Sequence, residues 1–209
     1  MARRRTSREA FRGVLVLGVL GAGLVAIGCG TSGRAAAGRA PIVGVGGRIG
    51  TLRIDASGRA AVVAFVGRPA AEKHGRTDRG GRYDALGYRC AARSSDNALP
   101  LVHGGPYCRT VFFIEPRSGR LGLFYTSDAR YVESHGVRVG MGTAKAERLL
   151  KKRLHAGCEY NIYLYGRDAS LTIAFTGGAL QHDGTLRGGR VSALVLHGMH
   201  HDPGVFECT

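Results

Sequence analysis

The chain lacks several of the short signatures that announce an enzyme. It has no Gly-x-Ser-x-Gly elbow, no phosphate-binding P-loop and no His-Glu-x-x-His. These absences remove the common serine-hydrolase, nucleotide and zinc-protease readings. Ser95-Asp96-Asn97 matches one element of the penicillin-recognising enzymes, but no Ser-x-x-Lys and no Lys-Thr-Gly accompanies it, so it reads as a polar loop. No Cys-x-x-Cys occurs among the five cysteines, which argues against zinc ribbons and dithiol redox work. Acidic residues are scarce: 15 Asp and Glu face 30 Lys and Arg, for a net charge of +15. No apolar run reaches the ~20 residues that a spanning helix needs.

The longest apolar run organises the rest. Val14–Cys29 carries no charge and ends in a cysteine preceded by small residues, and the head before it holds Arg3, Arg4, Arg5, Arg8 and Arg12. A basic head, a short apolar segment and small residues at the cut make a secretory signal. Gly18, Gly21 and Gly23 weaken the run further as an anchor helix. Arg4-Arg5 lacks the apolar residues that follow the pair in a twin-arginine signal.

The expected organisation has four parts. Residues 1–28 are the signal peptide. Residues 29–41 begin at Cys29 and form a flexible tether of small residues. Residues 42–130 and 131–209 are two copies of one unit. Removing residues 1–28, with their five arginines and one glutamate, takes four from the charge and leaves +11. An exported basic body is drawn to anionic envelope polymers and headgroups. Export argues against nucleic acid, and no basic-aromatic module of the RNA-binding kind is present.

The repeat is visible as a gapless overlay of Leu52–Phe65 on Val137–Leu150, at a constant offset of 85 residues. Each copy has an apolar-Arg-apolar triplet, a turn and a helical pattern. In the second, Ala146, Leu149, Leu150 and Leu154 share one helix face. Thr143 is expected to cap that helix, and Glu147 to pair with Lys151. In the first, Ser57 is the expected cap, Ala61, Ala64 and Phe65 form the apolar face, and Gly67 with Pro69 stop the helix. Three strand-like runs follow each helix: Tyr83–Arg89, Arg109–Ile114 and Leu121–Tyr125, then Tyr160–Tyr165, Leu171–Phe175 and Val191–Leu196. The fold class predicted is α+β, two tandem α-β-β-β repeats with helices packed on antiparallel sheet.

The cut site Ala26-Ile27-Gly28-Cys29 resembles the lipobox of bacterial lipoproteins. The resemblance implies lipid on the Cys29 thiol and a mature chain that starts there, with acyl chains holding it at the membrane surface. Gly136-Val137-Arg138-Val139-Gly140-Met141-Gly142-Thr143-Ala144, followed by a helix, resembles the start of the SmpA/OmlA small outer-membrane lipoproteins and the tandem repeats of the β-lactamase inhibitor protein. Val66-Gly67-Arg68-Pro69 is similar to the helix end of the former. The resemblance implies a small α/β repeat that binds proteins without catalysis. The first copy has Asp55-Ala56 where Gly-Met stands in the second, and the cysteine spacing differs from the inhibitor's, so β-lactamase inhibition is not carried over. The chain is most similar to uncharacterised actinobacterial secreted lipoproteins built on such repeats.

Three groups of residues remain. His197, His200, His201 and Asp202 lie within six positions, with His182-Asp183 upstream; imidazole and carboxylate are ligands for zinc or copper. A histidine-rich loop after the last strand does not make a site by itself, and no cofactor is assigned. Tyr163 and Tyr165 share one strand face, with Tyr160 before them, and offer either a contact surface or packing under a helix. Cys90, Cys108, Cys158 and Cys208 are even in number in an oxidising compartment. Three connectivities are allowed. Asp96, Asn97, Pro100 and Gly104-Gly105-Pro106 mark a loop that leaves and returns between the first two, which selects Cys90–Cys108 and Cys158–Cys208.

The leading expectation is a lipid-anchored, extracytoplasmic, non-enzymatic binding or assembly protein of the bacterial envelope. Its partners are the membrane, through the N-terminal lipid, and an envelope protein or anionic polymer. The alternatives are an extracytoplasmic metal-dependent enzyme using the C-terminal histidines, and an inhibitor of a secreted enzyme.

Overall fold

A computed structural model describes residues 40–77, 80–94, 97–101, 105–156, 160–182 and 186–204. These fall within one compact unit, Arg39–Thr209. The chain opens with three short strands, β1 (Ile42–Gly44), β2 (Arg48–Ile49) and β3 (Leu52–Arg53), and then helix α1 (Arg59–Val66). Five strands follow: β4 (Ala71–Arg76), β5 (Arg82–Ala91), β6 (Leu99–Pro100), β7 (Tyr107–Glu115) and β8 (Arg120–Thr126). The chain continues with β9 (Val132–Glu133), helix α2 (Thr143–Leu150), β10 (His155–Ala156), β11 (Tyr160–Tyr165), β12 (Ala169–Thr176), β13 (Ala179–Leu180), β14 (Leu186–Arg187) and β15 (Arg190–Gly198). The class is α+β.

The main sheet has nine strands in the order β10-β11-β12-β15-β8-β7-β5-β4, with β6 added beside β7, and every pairing is antiparallel. The order reads the same way outward from the β15–β8 seam: β8-β7-β5-β4 on one side, β15-β12-β11-β10 on the other. A four-stranded sheet, β3-β2-β1-β9, joins the segment before α1 to the segment before α2 through the parallel β1–β9 pair.

The central strands are buried on both faces, which is why they read as nearly continuous apolar runs. On β7, Phe112 and Ile114 belong to one apolar cluster, and Val111 and Phe113 to another on the opposite face. The first cluster also holds Val62 of α1 and Ala146 and Leu150 of α2, with Leu171, Ile173, Leu194 and Leu196 of the sheet. Aromatic rings tie it together: the ring centres of Phe112 and Phe124 are 4.9 Å apart in a tilted pair, and Tyr131 meets Phe124 edge-on with centres 5.1 Å apart. The β7–β8 hairpin forms over residues 115–120, where the Glu115 carboxylate accepts the N–H groups of Arg117 and Ser118 and Gly119 takes a positive φ of 66°.

Both helices differ from the sequence reading in detail. Val62 is the buried residue of α1, while Ala61 and Ala64 are exposed and Phe65 is half-buried. On α2, Leu149 is 37% exposed, so the buried face is Ala146 and Leu150. The N-caps are Gly58 and Gly142, not the hydroxyl residues expected. Ser57 Oγ instead accepts the Arg53 N–H at 2.9 Å. Thr143, one residue too late to cap, buries a hydroxyl with no partner among the described residues. The Glu147–Lys151 pair does not form. Lys151 adopts a left-handed conformation, φ 52°, which takes it off the helical i,i+4 geometry, and Glu147 Oε1 accepts the Leu154 N–H at 2.9 Å. Five main-sheet strands follow α1 and four follow α2, where three were expected after each.

Candidate functional site

The C-terminal histidines sit on a turn built from the far end of the chain. β15 ends at Gly198, and the next three residues turn their amides onto Asp55. Its carboxylate accepts the N–H groups of Met199 at 2.9 Å, His200 at 3.1 Å and His201 at 3.0 Å. Asp55 holds a left-handed backbone, φ 58°, a conformation that Asp tolerates better than most residues. Two glycines let the turn approach. A Cβ on Gly198 would lie 2.4 Å from Asp55 Oδ1, and one on Gly122 would lie 1.6 Å from the His201 carbonyl oxygen.

This arrangement separates the imidazoles. His197 Nδ1 pairs with Asp202 Oδ2 at 2.6 Å, and both side chains are largely covered. His200 is exposed, and its ring centre lies 6.5 Å from that of His201. His182 is exposed on a separate loop, and Asp183 lies outside the described residues. Among the described residues, no group of three or more His, Cys, Asp or Glu side chains is placed to hold a metal ion. His200 does line an open cleft of about 240 Å³ with Arg53, Asp55, Ala56 and Asp168.

The tyrosines fall on the face of the sheet away from the helices. Ile162 and Leu164 of β11 point into the cluster shared with the helices, so Tyr163 and Tyr165 project from the opposite face. Their ring centres are 6.4 Å apart and their planes 15° from parallel. Tyr165 is 76% exposed, and Tyr163 is half-buried. Asn161, on the same face, donates from Nδ2 to the Tyr163 hydroxyl at 3.2 Å, and its own buried Oδ1 has no partner among the described residues. The side chain of Tyr160 lies outside the described residues.

The sequence reading took the basic residues only as a net charge and missed a concentration of them. Lys145, Arg148, Lys151, Lys152 and Arg153 are all exposed on α2 and the turn after it. Several of them line an open concavity of about 410 Å³ with Ala144 and Glu147. The spacing of five cations in nine residues was the available signal. Nothing in the sequence marked Asp55, whose partners are main-chain amides.

Of the cysteines, Cys90 and Cys108 are joined by a disulfide. They stand directly opposite one another on β5 and β7. Gly87 makes the room, because a Cβ there would lie 2.6 Å from both Cys108 Sγ and Leu101 Cδ1. Cys29, Cys158 and Cys208 lie outside the described residues, as do Ser95 and Asp96. Asn97 takes a left-handed conformation, and its carbonyl accepts the Tyr125 hydroxyl. No described helix is long and apolar enough to cross a membrane.

Comparisons with known proteins add little. No family model matches the chain, and no curated protein matches it. Among solved structures, the chain is similar to the uncharacterized protein yfeY from Escherichia coli. The match has 14% identity and a TM-score of 0.45, and covers 74% of this chain and 98% of that one.

Proposed function

We propose that the chain is a lipid-anchored, extracytoplasmic, non-enzymatic binding protein of the bacterial cell envelope. Residues 1–28 direct export, Cys29 carries the lipid, and the folded part holds an envelope protein at the β11 tyrosines, on the face of its main sheet away from the helices. The observation that carries the binding surface is the parallel Tyr163–Tyr165 pair, with Tyr165 76% exposed. Tyrosines offer a large, stiff contact area and a polar tip, and they concentrate in protein interfaces. We read α1 with β4, β5, β7 and β8, and α2 with β10, β11, β12 and β15, as tandem copies fused through the β8–β15 pair. The mirrored strand order and the buried Val62 and Ala146 near the middle of the two helices support that reading.

The test is a photo-reactive residue in place of Tyr165 in the native envelope. The expected result is a discrete protein adduct that weakens when Tyr163→Ala is added. No adduct, or the same adducts from a reactive residue at exposed Met199, counts against the reading. Anchoring is read separately: Cys29→Ala should leave the membrane fraction or accumulate as unprocessed precursor.

A further inference from the structure

The basic surface of α2 has features that helix stability does not explain. The negative end of a helix dipole favours cations in the last turn, and that accounts for Arg148. It does not account for Lys145, which stands in the first turn, where the dipole disfavours a cation and where α2 has no acidic residue. Lys151, Lys152 and Arg153 continue the positive run past the helix end, all exposed. The one acid of the stretch, Glu147, turns its Oε1 inward to the Leu154 N–H at 2.9 Å. Among the described residues, Arg148, Lys151 and Arg153 have no carboxylate within ion-pair distance.

Amid these charges lies Leu149, 37% exposed, sharing the outer helix face with Lys145 and Arg148 at i, i+3 and i+4. An exposed leucine gains nothing from a hydrated anionic polymer. It does gain from the boundary between headgroups and acyl chains, where cations meet phosphate and an apolar side chain leaves water.

We propose that the exposed face of α2 and the turn at 151–153 dock on anionic lipid headgroups. The proposal rests on the envelope placement above and deepens it. Acyl chains on Cys29 hold the protein at the bilayer, and a basic patch on the folded part adds an attraction that sets which face meets the headgroups. Within that turn, Lys152 also donates from Nζ to the Tyr163 carbonyl at 3.3 Å, which ties it to the edge of β11.

The sequence contains no tryptophan, so Leu149→Trp places a single fluorophore on this surface. The full lipidated chain carrying it is reconstituted with vesicles of phosphatidylcholine alone, or of phosphatidylcholine with phosphatidylglycerol. The expected result on the anionic vesicles is a blue-shifted emission that brominated acyl chains quench. The shift should be absent on neutral vesicles, be reversed by high salt, and be lost in L149W/K151E/K152E/R153E. Should that variant fail to fold by circular dichroism, L149W/K145E/R148E carries the same expectation. Solvent-like emission on anionic vesicles overturns the proposal, whether or not the chain floats with them. So does an equal shift on neutral vesicles, or one indifferent to the charge reversals. Flotation with neutral vesicles reads the lipid on Cys29 and the tryptophan reads this surface, so either can fail without the other.

Discussion

Asp55 and His201 are 146 positions apart in the chain and meet in a 3.0 Å hydrogen bond, the His201 amide donating to the Asp55 carboxylate. With the Met199 and His200 amides on the same carboxylate, one side chain from before α1 holds the exit from the last strand. Asp55 is itself held in place, its N–H donating to the Leu121 carbonyl at 2.7 Å. The two ends of the folded part are thus fastened at one point.

Removing that carboxylate should loosen the C-terminal turn. Hydrogen bonds to a charged group contribute roughly 1.5–3 kcal/mol each, but three on one partly exposed carboxylate do not add fully, so Asp55→Ala should cost about 2–4 kcal/mol. Asp55→Asn keeps the left-handed backbone and one acceptor oxygen, and should cost about half as much. Amide exchange at residues 199–201 should rise in both variants, and more in the first. Unchanged exchange would mean that the turn is held by something other than Asp55.

The Cys90–Cys108 bridge closes a sequence separation of 18 residues. Opening it should cost about 3 kcal/mol if the constraint acts on the unfolded chain. A non-reducing peptide map should join these two cysteines, and the same digest should join Cys158 to Cys208. Reduction should lower the denaturation midpoint without changing the sheet signal in circular dichroism. A peptide joining Cys90 to either of the other two cysteines contradicts the pairing.

The sequence was most legible where side chains face an apolar core. Strands β5, β7, β8, β11, β12 and β15 were marked by apolar alternation or continuous apolar runs, because their residues are buried on one face or both. Strand β4 was not. It reads Ala-Glu-Lys-His-Gly-Arg and lies at the sheet edge, where charged residues suit an exposed strand. The α1 face was misjudged by one residue. An offset of 85 pairs Ala61 with Ala146, whereas the buried Val62 and Ala146 are separated by one residue less. Asp55 could not be found, since a carboxylate that binds main-chain amides leaves no pattern at its partners.

Asp128 should govern part of the acid limb of stability. Its side chain is 4% exposed and contacts Arg89 at 3.0 Å and Arg130 at 2.9 Å. Burial pushes its carboxyl up, but bonds from the Arg130 side chain and amide and from Arg89 outweigh this and hold it below the ordinary aspartate range. The stabilisation is therefore present above the unfolded value of about 3.9 and is lost as pH falls through the lower folded one. Asp128→Asn should cost about 1–3 kcal/mol at neutral pH. It should not reach the larger cost of an orphaned buried charge, because the side chains of Arg89 and Arg130 are 48% and 60% exposed and return to water. Denaturation midpoints from neutral pH down to the acid transition should show a flatter limb in the variant.

Tyr131 should govern part of the alkaline limb, with the opposite sign. It is 3% exposed and meets Phe124 edge-on, and burial pushes its hydroxyl up to about 12. An unfolded tyrosine ionises near 10. Below about pH 10 neither state is ionised, and the stabilisation is whole. Between there and the folded value only the unfolded chain releases the proton, so stability falls as pH rises. A difference of about two units corresponds to about 2.7 kcal/mol over the full window. Tyr131→Phe keeps the ring contact with Phe124 and removes the ionisable group. Its stability at pH 8 should stay within about 1 kcal/mol of the native chain. Its alkaline limb should be flatter by about 2 kcal/mol once the unfolded tyrosine has ionised. Urea denaturation of both chains across that range, with absorbance followed at the tyrosinate band, measures the difference. Two limbs that fall in parallel would place the alkaline loss on other groups and leave Tyr131 as packing alone.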